Sequence, residues 1–253
     1  MNILYYDCFA GISGDMNLAA MIDLGVDSQY VIHELSKLGL NEEFELLARR
    51  DIKKGISGTK VTVRLHRDDA SVHHSQRNID DIKNIIVNST LAPKVQQTAV
   101  DMFIEVARSE AVVHGKRVEE VHFHEVGSTD SIVDIVGAAV CFHELDIDKV
   151  LSGPVELGSG TAKCSHGTIP VPAPATAEIL KDCPVTIGAV QHEATTPTGA
   201  AIIKTLTDEF VSHTGFTILK TAYGIGQRDA VLPNVVRVFL GKLDELASWP
   251  GKK

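Results

Sequence analysis

Ile3-Leu4-Tyr5-Tyr6-Asp7-Cys8-Phe9-Ala10-Gly11-Ile12-Ser13-Gly14-Asp15-Met16 is the stretch whose reading decides the fold. Residues 3–6 are unbroken apolar, β-favouring sequence that stops at a polar and glycine cluster, the form of a strand buried on both faces. A helix is expected next, because Met16, Ala19, Ala20, Ile22 and Leu24 fall at helical spacing before Gly25. Buried strand, tight turn and helix together are how an α/β layer begins. Working outward, Ser28 is placed to cap a second helix running to about Leu38. Val61, Val63 and Leu65 alternate with polar residues, which predicts a half-exposed strand and a hairpin around Lys54-Gly55. Ile79, Ile82, Ile85 and Ile86, residues 95–113 after Pro93, and residues 130–145 predict helices. Residues 150–157 predict a strand, 158–172 a Gly/Pro-rich loop, 174–181 a short helix, and 216–223 and 235–240 two further strands. The expected architecture is α/β, a mixed sheet with flanking helices, in one domain over residues 1–245. It carries a helical insertion at about 78–145 and ends in a tail, 246–253.

Composition narrows the function. In 253 residues, 44% are apolar and 23% charged, so neither disorder nor a disulfide scaffold is needed to explain the chain. The 24 Lys and Arg against 33 Asp and Glu leave a net charge of −9 with no long run of one sign, which makes nucleic acid a poor partner. The best apolar run, residues 135–142, is far short of the ~18 residues that a spanning helix needs, so no membrane segment is expected. The four cysteines include no C-x-x-C pair, which favours a reducing, cytoplasmic setting.

Several segments carry chemistry. The turn after the first strand offers Gly11, Ser13, Gly14 and Asp15 at a helix N-terminus, where backbone N–H groups favour an anion, while Asp7 at the strand end is placed to hold a cation. A plain strand-to-helix turn capped by Ser13 or Asp15 explains the same residues. Residues 121–134 are the densest in potential ligands. If 121–125 is extended, His122 and His124 share one face; on the following helix Asp130 and Asp134, four apart, share another. Imidazole with carboxylate suits Zn, Ni, Mn or Fe, and Glu125 is placed to act as a general base. Against that, Thr129 or Ser131 with Asp134 spells a capping box. His73-His74 lies in a polar loop, equally able to take a metal or to face water. His114-Gly115 reads as a helix C-terminus. Lys163 and His166 flank Cys164 and would lower its pKa, making the thiol a soft metal ligand or a nucleophile. Thr195, Thr196 and Thr198 surround Pro197, a helix start whose hydroxyls and N–H groups also suit a phosphate.

The order and wording of these blocks resemble one family, the nickel-insertion proteins that complete the nickel-pincer nucleotide cofactor of lactate racemase. The resemblance runs through residues 6–16, 121–137, 158–167, 169–176, 195–200 and 233–238, nearly the whole chain. It implies insertion of Ni²⁺ into pyridinium bisthiocarboxylic acid mononucleotide, coupled to cleavage of CTP, with Mn or Mg, to CMP and pyrophosphate. Full-length members continue into a second half, to which the nucleotide is attributed. The chain stops at Lys253 without that block, as a natural product, a truncated one or one of two encoded halves would, so a separately encoded C-terminal half is one partner to expect. Nickel would be held by His122, His124, Asp130, His166, His73 or His74, with Cys164, Glu125 and Asp7 doing the chemistry, and the substrate's phosphate at the glycine turn. A metal-dependent hydrolase and a non-enzymatic nickel-binding module remain as alternatives, and the oligomeric state is open.

Overall fold

The computed structural model describes residues 1–66, 77–121, 123 and 126–243. In chain order the elements are β1 (Asn2–Asp7), α1 (Gly14–Leu24), α2 (Ser28–Ser36), β2 (Phe44–Lys53), β3 (Ile56–Leu65), α3 (Ile79–Val87), α4 (Pro93–His114), α5 (Thr129–Glu144), β4 (Lys149–Ser152) and β5 (Val155–Glu156). They continue with β6 (Thr161–Cys164), β7 (Gly167–Pro170), α6 (Pro174–Ile179), β8 (Val185–Thr186), α7 (Pro197–Leu206), β9 (Glu209–Phe210), β10 (Thr217–Ile225) and β11 (Val235–Lys242).

The main sheet runs β2-β3-β10-β11-β1-β4-β9, with β1 antiparallel to β11 and parallel to β4, so it is mixed and the fold is α/β. β1 lies inside it, and Ile3, Leu4 and Tyr6 are wholly buried, which is why its sequence does not alternate. Its Tyr6 hydroxyl donates to the buried Asn17 Oδ1 at 2.8 Å, tying strand to helix. α1 lies so close to β10 that a Cβ on Gly224 would stand 1.8 Å from the Met16 carbonyl oxygen. α5 is buried nearly all round, from Ile132 to Cys141, as a central helix should be. Its core is continuous with Ile79, Ile82, Met102 and Phe103 of α3 and α4 and with Ile202 and Ile203 of α7.

Four local expectations are corrected. Residues 150–157 form two strands: β4 joins the main sheet, whereas beyond Gly153-Pro154 the chain turns away and β5 pairs with β8. Residues 158–172 are not an irregular loop throughout, since β6 and β7 form a hairpin turning at Ser165-His166. Gly224 and Ile225 belong to β10 rather than to the following loop. The cap of α2 is Asp27, whose carboxylate accepts from the Gln29 N–H, and not Ser28. The predicted tail lies outside the described residues.

Candidate functional site

At the end of β1, the Asp7 carboxylate is taken by Arg237 of β11, through Nε at 2.8 Å and through a second guanidinium nitrogen. The same guanidinium lies 5.7 Å from the Phe9 ring centre and 5.1 Å from that of Phe239. Asp7 is therefore an ion-pair partner held by the strand beside it. The turn that follows is stitched to residues 193–196. Gly11 N–H donates to Cys8 O at 2.9 Å, Ile12 N–H to Thr195 Oγ1 at 3.3 Å, and Thr196 N–H to Ile12 O at 3.1 Å. Gly11 is forced twice, by a φ of 85° and by the Ala194 carbonyl oxygen 2.1 Å from where a Cβ would be. Thr195 is wholly buried and donates to the Glu156 carbonyl at 2.7 Å. Glu156 keeps its own carboxylate buried by accepting from Thr186 Oγ1 at 2.6 Å and from the N–H groups of Ala189, 2.9 Å, and Gly158, 3.1 Å.

Three carboxylates gather where α1 and α5 begin. Gly14 faces Asp134 so closely that a Cβ would stand 2.5 Å from the Asp134 Cβ. Oδ1 of Asp134 is shielded from solvent and has no hydrogen-bond partner. Burial, then the neighbouring Asp15 and Asp130 charges, push its pKa well above the usual carboxylate range, against a hydrogen bond from the Asp15 backbone. Asp130 accepts from the Ser131 N–H at 2.8 Å and from the Ser128 hydroxyl. The capping box expected from Thr129 or Ser131 with Asp134 does not form: Ser128 is the cap residue and makes no side-chain cap bond. Thr129 is engaged instead by Glu43 and by Arg77, the latter at 3.0 Å. Burial raises the Glu43 pKa, but the bonds from Thr129 and Arg77 outweigh it and hold the carboxyl below its ordinary value.

Two pockets lie on either side of the start of α7. The first, about 290 Å³, is lined by Ser13, Asp15, Glu193, Thr196, Gln227 and Arg228 among others. Gln227 reaches Asp15 at 3.3 Å, and Arg228 stands 3.8 Å from Glu193. Thr196 caps α7 by accepting from the Gly199 N–H at 3.2 Å, and its hydroxyl contacts that of Thr198 at 2.9 Å. The second pocket, about 230 Å³, brings Cys164 and His166 of the hairpin against Glu110 and His114 in the last turn of α4, with Pro197 on its wall. His114 Nε2 is 3.1 Å from Glu110 Oε2, and the His114 and His166 ring centres are 5.1 Å apart.

Of the residues singled out from sequence, Ser13, Asp15 and Thr196 thus share one pocket and Cys164 and His166 the other, while Asp7, Gly11 and Thr195 are bound up in the framework. His73, His74, His122, His124 and Glu125 lie outside the described residues. Glu110 was not anticipated; its signal in the sequence is the i,i+4 spacing to His114. Among the described residues no three His, Cys, Asp or Glu side chains are grouped so as to hold a metal ion. All four cysteines are free thiols; burial raises the pKa of Cys8 and Cys141 far above that of a reactive thiol, which leaves Cys164 and Cys183 as the partly exposed ones. Among the described residues no helix is long and apolar enough to cross a membrane.

A family profile described as nickel insertion protein matches residues 4–250. The chain is 53% identical over 249 residues to the pyridinium-3,5-bisthiocarboxylic acid mononucleotide nickel insertion protein of Clostridium kluyveri, covering 96% of this chain and 62% of that protein. Proteins of the same description from Clostridium acetobutylicum and Akkermansia muciniphila are each 49% identical, over 274 and 255 residues, with 96% and 99% of this chain and 64% and 63% of theirs covered. The chain therefore spans a little over three fifths of the length of these relatives. No solved structure matches.

Proposed function

The chain belongs to the nickel insertion protein family, and from that premise we propose that it is the nickel-handling part of an insertase that places Ni²⁺ into pyridinium-3,5-bisthiocarboxylic acid mononucleotide. The observation that carries this reading is the pocket in which the Cys164 thiol and the His166 imidazole face the same space. Nickel favours soft sulfur and imidazole donors in tetragonal or square-planar sets, and the substrate's two thiocarboxylates supply more sulfur of the same kind. Transfer from a thiol and imidazole to those sulfurs exchanges like for like.

Nickel is the cargo here. Closing a metallacycle on the pyridinium ring exchanges a ring hydrogen for the metal, and the proton released needs a base, the role we give to Glu125. We give His122, His124 and Asp130 a share in nickel delivery and assign the substrate's phosphate to the first pocket. There Arg228, the Ser13 and Thr196 hydroxyls and the start of α7 are at hand. The N–H groups of Gly11 and Ile12 are spent within the framework, so the phosphate contact moves from the glycine turn to this pocket. Thr196 and Pro197 are adjacent and line different pockets, so a mononucleotide crossing that peptide has its phosphate on one side and its sulfurs on the other. Cleavage of CTP to CMP and pyrophosphate, with Mn or Mg, is assigned to a C-terminal half, and the setting to the cytoplasm.

The test is cofactor formation from the mononucleotide, Ni²⁺ and CTP by this chain together with the C-terminal half of a relative, read as activation of apo lactate racemase. Cys164→Ala should abolish it. Full activation by that variant overturns the reading, and turnover of simple esters or phosphates in its place would favour a metal-dependent hydrolase.

A further inference from the structure

We propose that β2 is a dimer interface: two copies of this chain join their sheets edge to edge, antiparallel, about a two-fold axis at Leu47. β2 (Phe44–Lys53) ends the described sheet, with β3 on one side of it. A long edge strand presents a row of N–H and C=O groups to another chain. Which of its groups point outward can be read from the ladder. The His66 N–H donates to the Glu43 carbonyl at 2.9 Å, in step with the β2–β3 register. Bonded pairs alternate along an antiparallel ladder, so the odd-numbered residues of β2 bond inward to β3. The even-numbered ones, among them Phe44, Leu46, Ala48 and Arg50, turn their backbone groups outward.

The side chains decide the occupant. Phe44 and Leu46 are buried in the core, so Glu45, Leu47 and Arg49 project from the opposite face, where Leu47 is half-buried and the two charged residues are exposed. Arg50 leaves the edge clear, since its guanidinium folds back to Asp23 and, at 3.0 Å, to the Ser57 hydroxyl. A two-fold axis sets each residue of one copy opposite a fixed residue of the other, and the possible centres differ in what they oppose. Centred on Ala48, Glu45 meets Asp51. Centred on Arg49, Arg50 or Asp51, a charge meets its own copy. Centred on Leu46, no two charges are opposed, and nearer either end hardly any of the strand overlaps. Centred on Leu47, Glu45 meets Arg49 twice, Leu47 meets Leu47, and no like charges face each other.

These three pairs fall between the outward bonds, where facing Cα atoms approach to about 4.5 Å and side chains touch most closely. The contacts that Glu45 and Arg49 already make are compatible with this. Glu45 lies 3.1 Å from Arg64 and Arg49 lies 3.5 Å from Asp51, both surface pairs of small worth, to be shared with the partner or given up to it. Charges on an edge strand ordinarily discourage pairing. Here they admit one register and penalise its neighbours, and a second copy is the occupant that carries the matching charges by necessity.

Sedimentation velocity on the whole chain, from low to high micromolar concentration, tests this. The wild type should dimerise. Glu45→Arg opposes arginine to arginine at two places and Arg49→Glu opposes glutamate to glutamate, so each variant alone should dimerise at least about tenfold more weakly. Mixed together, the two variants bring unlike charges back at both places and should regain wild-type dimerisation, a recovery that a folding defect in either one would not give. Ala48→Pro removes an outward N–H and spares the ladder to β3, so it should weaken the dimer at least about tenfold while the circular dichroism stays native. A wild type that remains monomeric overturns the proposal. So does a dimer that Glu45→Arg and Arg49→Glu leave unchanged, or a mixture that associates no better than its components.

Discussion

Asp134→Asn should make the protein more stable at neutral pH, and the gain should vanish in acid. Wild-type Asp134 is packed against Gly14, has one oxygen with no partner, and feels the charges of Asp15 and Asp130. Burial with like charges raises its pKa in the folded chain, so the folded chain holds this proton more tightly than the unfolded one. For a raised carboxyl, the stability contribution is full below the unfolded value of about 3.9 and is lost as pH rises through the folded-state value. Asparagine has nearly the same shape, keeps an acceptor for the Asp15 N–H, has no charge to lose, and brings a donor toward two carboxylates. Relief of one uncompensated, partly hydrogen-bonded buried charge is worth about 1–3 kcal/mol. Urea unfolding at several pH values from 4 to 8 should show the variant and wild type nearly equal at the acid end and separated by that amount at pH 8. A gap that does not change with pH, or a variant less stable than wild type at pH 8, would refute the argument and mean that the carboxylate has a stabilising partner.

Gly14→Ala should cost about 1–3 kcal/mol in urea unfolding, because the added Cβ would stand 2.5 Å from both the Cβ and Oδ2 of Asp134, and the Cβ, close to the helix backbone, cannot swing aside as the carboxylate can. That makes Gly14 a packing position, and a larger side chain there no clean probe of anion binding. Arg228→Gln should weaken the mononucleotide by about tenfold in calorimetry without changing nickel affinity, the share expected of one charge-assisted contact to phosphate; unchanged mononucleotide affinity sends the phosphate elsewhere. CMP release from CTP by this chain alone, with Mn²⁺ or Mg²⁺, should stay at background, since its sequence has no Gly-x-x-x-x-Gly-Lys phosphate loop. Robust release would place the nucleotide site here.

What was legible in the sequence was local, and what was not depended on residues far apart in the chain. The Thr196-Pro197 helix start, the Gly115 end of α4 and the hairpin at Lys54-Gly55 need only their neighbours, and each stands where its turn chemistry put it. The capping box at Thr129 obeyed the same local rule and failed. Arg77, 52 residues away, donates to the Thr129 oxygen that a cap bond would have used, and Glu43 takes the hydroxyl proton; both are charge-assisted bonds, stronger than one between a backbone N–H and a neutral oxygen. Asp7 shows the same competition. Read alone it is a strand-end carboxylate suited to a cation, but β11 lies beside β1 in antiparallel register and sets Arg237 opposite it, 230 positions later.

The site divides along the same line. Cys164 and His166 could be picked out because thiol and imidazole stand two apart, and Ser13, Asp15 and Thr196 because helix starts advertise themselves. Glu110 and His114 could not, since on a helix their spacing is also that of an ordinary surface pair. What changes their meaning is the hairpin β6–β7, which carries His166 back over the end of α4. That hairpin was itself hidden, because its strands are four residues each and exposed on most of their length, so no core-facing alternation marks them. A strand pair that buries little has little apolar area to hold it in place. What places it over α4 is the apolar wall of the pocket, where Ile169 of β7 lies with Val113 of α4 and with Val126, a contact that no strand-length pattern in the sequence announces.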